Sequence, residues 1–158
     1  MTKPYEVFAS RFGYRVNFNS NLVVEKNNRY YLLNPRIKSM LQSDYYYAGL
    51  YIGKVKNGIF FPSFNLLNML VNAAANKIVV DQKAAWLFIC GRDIFFIGIE
   101  KVMGSKRKGD ATLVLNEFGE CLGFGKILDD LTKTENKVVI KNVLDVGDFL
   151  RRETKNTY

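Results

Sequence analysis

Groups suited to acid-base or metal chemistry are scarce in this sequence. There is no histidine, and the only thiols are Cys90 and Cys121, so the commonest general base is missing. One chain cannot assemble a Cys/His zinc site or a disulfide framework from that set, and both cysteines read as core residues. Asp129-Asp130 fall in a turn with no basic or metal-binding partner nearby in sequence. Gly123-Phe124-Gly125-Lys126 has a phosphate-loop look, but Glu120 stands where a Walker A glycine is needed and Ile127 where a Ser/Thr must follow the lysine. No catalytic residue, metal ligand or cofactor site is assigned, and the chain is expected not to be an enzyme.

Cations are plentiful. Lys+Arg number 23 against 15 Asp+Glu, a net charge of +8 that favours a polyanionic partner. The excess is uneven: residues 1–76 hold 9 basic and 3 acidic side chains, a net +6, leaving 14 and 12, a net +2, for residues 77–158. A basic patch in the second half therefore requires local clustering. Lys137 and Lys141 lie four apart on an expected strand, which puts them on one face with Val139, while Val138, Ile140 and Asn142 face the other way. Lys133 in the preceding loop extends the line. Such a line either contacts phosphates or is a solvated strand edge guarded by lysines. Arg151 and Arg152 either contact RNA or complement a helix C-terminus and pair with Asp148. The loop Gly104–Asp110 packs Lys106, Arg107 and Lys108 between glycines, as a mobile phosphate-catching loop or an ordinary exposed hairpin would. Tyr45, Tyr46 and Tyr47, with Tyr30, Tyr31 and Tyr51, offer stacking surfaces for unpaired bases, although packing in a core or at an edge explains most of them.

These side chains need a scaffold, and 48% hydrophobic residues supply a real core. An opening helix is expected from a Thr2 cap to Gly13, with Tyr5, Phe8, Ala9 and Phe12 as its stripe. Leu22–Lys26 and Arg29–Leu33 read as strands around Asn27-Asn28, and Asp44–Lys56 and Ile59–Phe61 as strands around Asn57-Gly58. Between the pairs, Asn34 caps a short helix with Pro35 at its first position and Ile37, Met40 and Leu41 as its stripe. Ser63 caps a helix to about Ala75. After it come short strands at Lys77–Val80, Ile94–Val102, Ala111–Leu115, Cys121–Leu128 and Lys137–Leu144, the pattern of a small barrel. The apolar run Ala84–Cys90 is ambiguous between helix and strand, and Asp145 reads as the cap of a final helix. The fold class is α+β, with residues 1–76 an antiparallel sheet with helices and residues 77–158 a second domain. The start, MTKPYEVFASRFGYR, lacks a secretory apolar segment, and no apolar run approaches a membrane span, so a soluble cytoplasmic protein is expected.

The second half resembles a PUA domain. The resemblance is carried by KIVVDQKAAWLFICG at Lys77–Gly91, the Gly98-Ile99 step, the hairpin at Ala111–Lys126 and DVGDFLRRE at Asp145–Glu153. With GLYIGKV at Gly49–Val55, the chain is more particularly similar to the archaeal form of the Nip-seven ribosome-biogenesis family. Ile97 precedes Gly98 where many PUA domains have proline, and Val138 and Leu144 are apolar where archaeal relatives tend to be basic.

The resemblance implies a PUA pseudobarrel in which Ala84–Cys90 is the helix, and a non-enzymatic role in large-subunit assembly and pre-rRNA maturation. It implies binding of single-stranded, uridine-rich RNA, with other ribosome-assembly proteins as possible partners. Lys137 and Lys141 match basic positions of that family's RNA-contact strand. A protein-interaction adaptor, docking an acidic partner through its basic first half, is the alternative reading.

Overall fold

The computed structural model describes residues 1–132 and 135–155. Helix α1 spans Pro4–Ser10 and buries Tyr5, Phe8 and Ala9, with Phe12 completing the stripe beyond its end. Its N-cap is Lys3, not Thr2, because Pro4 takes the first helical position; the Lys3 amide donates to Glu6 at 2.8 Å. Strands β1 (Val23–Lys26) and β2 (Arg29–Leu32) meet at Asn27-Asn28, whose φ of 52° and 60° make the left-handed pair that a two-residue hairpin needs. Strands β3 (Leu50–Lys56) and β4 (Ile59–Pro62) meet likewise at Asn57-Gly58. The four form one antiparallel sheet in chain order.

Strand β3 begins later than the sequence pattern suggests. Gly49 takes φ +66° hard against the Leu32 carbonyl, and the segment before it folds back so that Leu41, Tyr45 and Ala48 pack on Tyr31 and Leu33. Helix α2 (Pro35–Met40) has the expected cap, with the Ile37 amide donating to Asn34 at 2.8 Å. Its expected stripe does not form, since Ile37 and Met40 are exposed. Helix α3 (Phe64–Val71) starts at Ser63 and stops four residues short of Ala75; the Lys77 ammonium caps its end by donating to the Val71 and Ala73 carbonyls.

The second half contains β5 (Lys77–Val80), α4 (Gln82–Ile89), β6 (Ile94–Phe95), β7 (Ile99–Met103), β8 (Ala111–Leu115), β9 (Cys121–Ile127), β10 (Val138–Asp145) and α5 (Asp148–Lys155). Their order is β6-β10-β9-β8-β5-β7, antiparallel except for β5 against β8, in a curled half-barrel that is the pseudobarrel the resemblance implies. The ambiguous run is helix α4, started by Asp81, whose carboxylate accepts from the Ala84 amide at 2.7 Å. The expected strand Ile94–Val102 is broken by a 3₁₀ turn at Phe96–Gly98, where Gly98 lies so near Ala84 that a Cβ would be 2.7 Å from it. Asp145 does not cap α5. It ends β10 with its side chain buried. No helix among the described residues is long and apolar enough to cross a membrane.

The boundary at residue 76 separates the two sheets, and one apolar cluster crosses it. The half-barrel encloses Ile78, Val80, Phe88, Ile94, Val114, Ile127, Val139 and Ile140. A second cluster joins Tyr5, Phe8 and Phe12 of the α1 region and Leu66, Leu67 and Leu70 of α3 to Leu113, Leu115 and Phe124 on the outer face of β8 and β9. The Phe124 ring stands edge-on to Phe8 and Phe12, with centroids 5.3 and 5.6 Å away.

Truncating Phe124 should therefore loosen both halves. Phe124→Ala is expected to cost about 3–5 kcal/mol, and far-UV circular dichroism and ring fluorescence should report one coincident transition in guanidinium. Two separate transitions, with only one moved by the substitution, would show independent cores.

Candidate nucleic-acid interface

Lys137 lies one residue before β10, not within it. Its ammonium is held by Asp129, with Glu135 at 3.6 Å, and the Asp129 carboxylate raises its pKa above the ordinary lysine value. Lys141 is exposed in mid-strand, 3.4 Å from the Asp93 carboxylate, which also accepts from the Asn142 amide at 2.9 Å. The shared face with Val139 between the two lysines does not survive. The pairing of β10 with β6 shifts between Val138 and Ile140, and Val139 and Ile140 are both buried. Each lysine is thus engaged by its own carboxylate; Lys133 lies outside the described residues.

The arginines are engaged as well. Arg151 donates to the Asp145 carboxylate at 2.7 Å and to the Ile89 carbonyl at 2.6 Å, which clamps α5 to the ends of β10 and α4. That carboxylate also raises its pKa. Arg152 pairs with Asp148 at 2.6 Å, one helical turn back. The loop Gly104–Asp110 is pinned, since the Ser105 amide donates to Asn76, the Gly109 amide to Ile127 and the Lys108 amide to Asp130. Lys106 and Lys108 still face solvent.

The sequence pattern missed Lys126. In the register of the sheet it lies directly opposite Lys141 on β10 and opposite Ala111 on β8, so the two lysines are cross-strand neighbours on one face. Like charges so placed repel. Lys126 is exposed and has no ion pair among the described residues, and Asp93 is the one carboxylate that answers the pair there. The chain just after α1 meets β8 next to this pair, where the Ala111 amide donates to the Arg11 carbonyl at 3.2 Å, and the Arg11 side chain is exposed. Arg11 is a third exposed cation, at the junction of the two sheets, while Lys126 and Lys141 are the cross-strand pair. Strand alternation within β9 points Lys126 to the Phe124 side, but its neighbour Lys141 emerges only from the pairing register.

Between the two halves opens a cleft of about 330 Å³, with Arg11, Phe60 and Phe61 on one side and Phe124, Val143, Asp145, Asp148, Arg151 and Arg152 on the other; Lys126 and Lys141 are not part of its lining. The tyrosines lie elsewhere. Tyr30 and Tyr31 are buried, Tyr45 lies under the Lys26 ammonium at 4.3 Å, and Tyr46 points outward from the first sheet. No group of three His, Cys, Asp or Glu side chains is arranged for a metal ion among the described residues.

A family model described as the UPF0113 PUA domain matches residues 76–154. A UPF0113 protein of Archaeoglobus fulgidus is 31% identical over 112 residues, which is 68% of this chain and 63% of the relative, so the match spans less than two thirds of that protein. A conserved PUA domain protein from Thermoplasma acidophilum superposes with a TM-score of 0.60 at 22% identity, over 94% of this chain and 90% of the other. A hypothetical protein from Pyrococcus horikoshii OT3 gives 0.54 at 18% identity, over 84% and 77%. A PUA domain from Aeropyrum pernix K1 gives 0.52 at 21%, over 63% and 59%. At such identities these structures establish the fold.

The two thiols differ, contrary to the expectation that both are core residues. Cys90 follows α4 and is exposed, because the helix ends there at the surface; Cys121 is largely covered, and burial pushes its pKa up to about 11. At pH 8 a thiol reagent should modify Cys90 quickly and Cys121 only on unfolding. Because the folded-state pKa of Cys121 is raised, its contribution to stability is whole below pH 9.0 and is lost as pH rises through about 11. Two equally fast thiols in the native protein would contradict this assignment.

Proposed function

The chain belongs to the UPF0113 PUA-domain family, and from that membership we propose that it is a non-catalytic RNA-binding protein whose grip lies on the β9–β10 face. The observation that carries the reading is the pair Lys126 and Lys141, placed opposite each other in the register. Two exposed lysines at that spacing cost stability in the free protein. An approaching phosphate converts the cost into binding energy, and Arg11 extends the site toward the first half. Lys137, Arg151 and Arg152 are held by carboxylates, as Lys141 is by Asp93; what sets the β9–β10 face apart is Lys126, which has no ion pair among the described residues and faces Lys141 across the register.

The finer reading is a ribosome-biogenesis factor of the Nip-seven type, acting in large-subunit assembly and pre-rRNA maturation on single-stranded, uridine-rich RNA. Its support is the run of matching stretches along the sequence, in order. The adaptor alternative has an observation of its own: Met40 and Tyr46 are 75% and 95% exposed on the basic first half. Crosslinking from cells separates the two. Enrichment of large-subunit rRNA precursors supports the first, and recovery of an acidic protein without RNA supports the second.

In the purified protein, Lys126→Ala/Lys141→Ala should weaken binding to all single-stranded sequences alike, since phosphate contacts carry no base information. The slope of log affinity against log salt should flatten by about 0.7 per lysine, roughly 1.4 for the pair. Lys126→Ala alone should leave thermal stability equal or higher, because it relieves the like-charge contact. An unchanged slope in the folded double variant would remove the β9–β10 face from the interface.

A further inference from the structure

We propose that the cleft between the two halves receives one unpaired base of the bound strand, while the flanking phosphates lie on Lys126, Lys141 and Arg11, so that RNA is held by both halves at once. This rests on the RNA-binding reading and adds to it a base-receiving site to which the first half contributes.

Three apolar side chains at this cleft are exposed. Ile59 and Phe61 on the outer strand β4 and Val143 on β10 are 59%, 41% and 54% accessible, whereas Phe8 and Phe124 behind them are buried. Val143 owes its position to the register shift in β10 between Asn142 and Leu144, a bulge that takes one residue out of the ladder with β9 and leaves it on the cleft wall. Arg11 belongs to both features, since its side chain lines the cleft and its carbonyl is bonded beside Lys126's neighbour Ala111. Val143 lies two residues from Lys141 along the same strand. An apolar slot bordered by cations suits a ligand with an apolar face and a negatively charged backbone at short repeat. Single-stranded nucleic acid has that pattern, because its bases can be splayed from a phosphate chain; a duplex keeps its bases stacked inside. On the far rim Arg151 and Arg152 are paired with Asp145 and Asp148, and on the β9–β10 side Lys141 is paired with Asp93 while Lys126 has no ion pair among the described residues.

The test uses the full chain and a uridine oligonucleotide in which one position at a time is made abasic. At one position, loss of the base should weaken wild-type binding roughly tenfold, the scale of a single base contact. Phe61→Ser/Val143→Ser should lose a similar factor on the intact oligonucleotide and nothing further on that abasic one. The salt slope should stay at the wild-type value, because apolar contacts release no counterions, which separates the cleft from the lysines. Val143→Ser alone, at an exposed bulge, serves if the double variant does not fold, and should show the same signature at smaller size. If the folded cleft variants bind as wild type does, or lose the same factor on every abasic oligonucleotide, the cleft receives no base, while the RNA-binding reading stands on the lysine slopes. If the wild-type chain binds no single-stranded RNA, both fail together.

Discussion

The arrangement depends on one constraint: the α1 region must bury its aromatic stripe against two sheets at once. Phe8 and Phe12 meet Phe124 of the second sheet, and Phe8 also meets Phe60 of the first at 5.6 Å. Neither sheet can cover that stripe alone. The linker is fixed by the same contact. The Asn76 amide donates to the Phe12 carbonyl and its own carbonyl accepts from Leu113, while its side chain bridges Ala111 and Ser105. Every polar group of a buried residue is then satisfied by partners on both sides of the junction, which is why Asn76 can be buried at all. Gly104 must be a glycine there, since at φ +92° a Cβ would lie 2.4 Å from the Asn76 side chain.

That packing also decides where the surface of β9 and β10 is free. Alternate residues on the covered part of this face, Phe124 and Leu144, are apolar because α1 and its neighbours lie over them. Past the edge of that cover the same rows continue as Lys126 and Lys141. A sheet face that changes from apolar to cationic within two residues marks the limit of the internal core.

Local features of the sequence were legible and relational ones were not. Asn27-Asn28, Asn57-Gly58, Asn34 and Ser63 act through their own backbones, so the turns and caps they signal occur where the pattern puts them. By local pattern Lys126 is no more than the lysine of an incomplete nucleotide loop, because its neighbour Lys141 lies fifteen positions away across a register that no local pattern encodes. Lys137 was put in the strand for the converse reason. Strand alternation predicts one face through Val139, but the register shifts between Val138 and Ile140 where β10 meets β6. Asp145 has the residue type of a helix cap but stands among groups that arrive from α4 and α5, and Arg151 claims it.

The charge census and the surface field are accordingly different quantities. The second half carries a net charge of only +2. Yet Lys137, Arg107 and Arg152 each have a carboxylate at hand, at Asp129, Asp110 and Asp148. Pairing of this kind removes equal numbers of both signs and leaves the net unchanged, but it changes where the remainder sits. Among the described cations of the second half, Lys126 is exposed without an ion pair, as are Lys83, Arg92, Lys101, Lys106 and Lys108, while Lys141 beside it has Asp93. Where the exposed cations lie on this nearly neutral half therefore follows from strand register and from which carboxylates each one meets, not from the count.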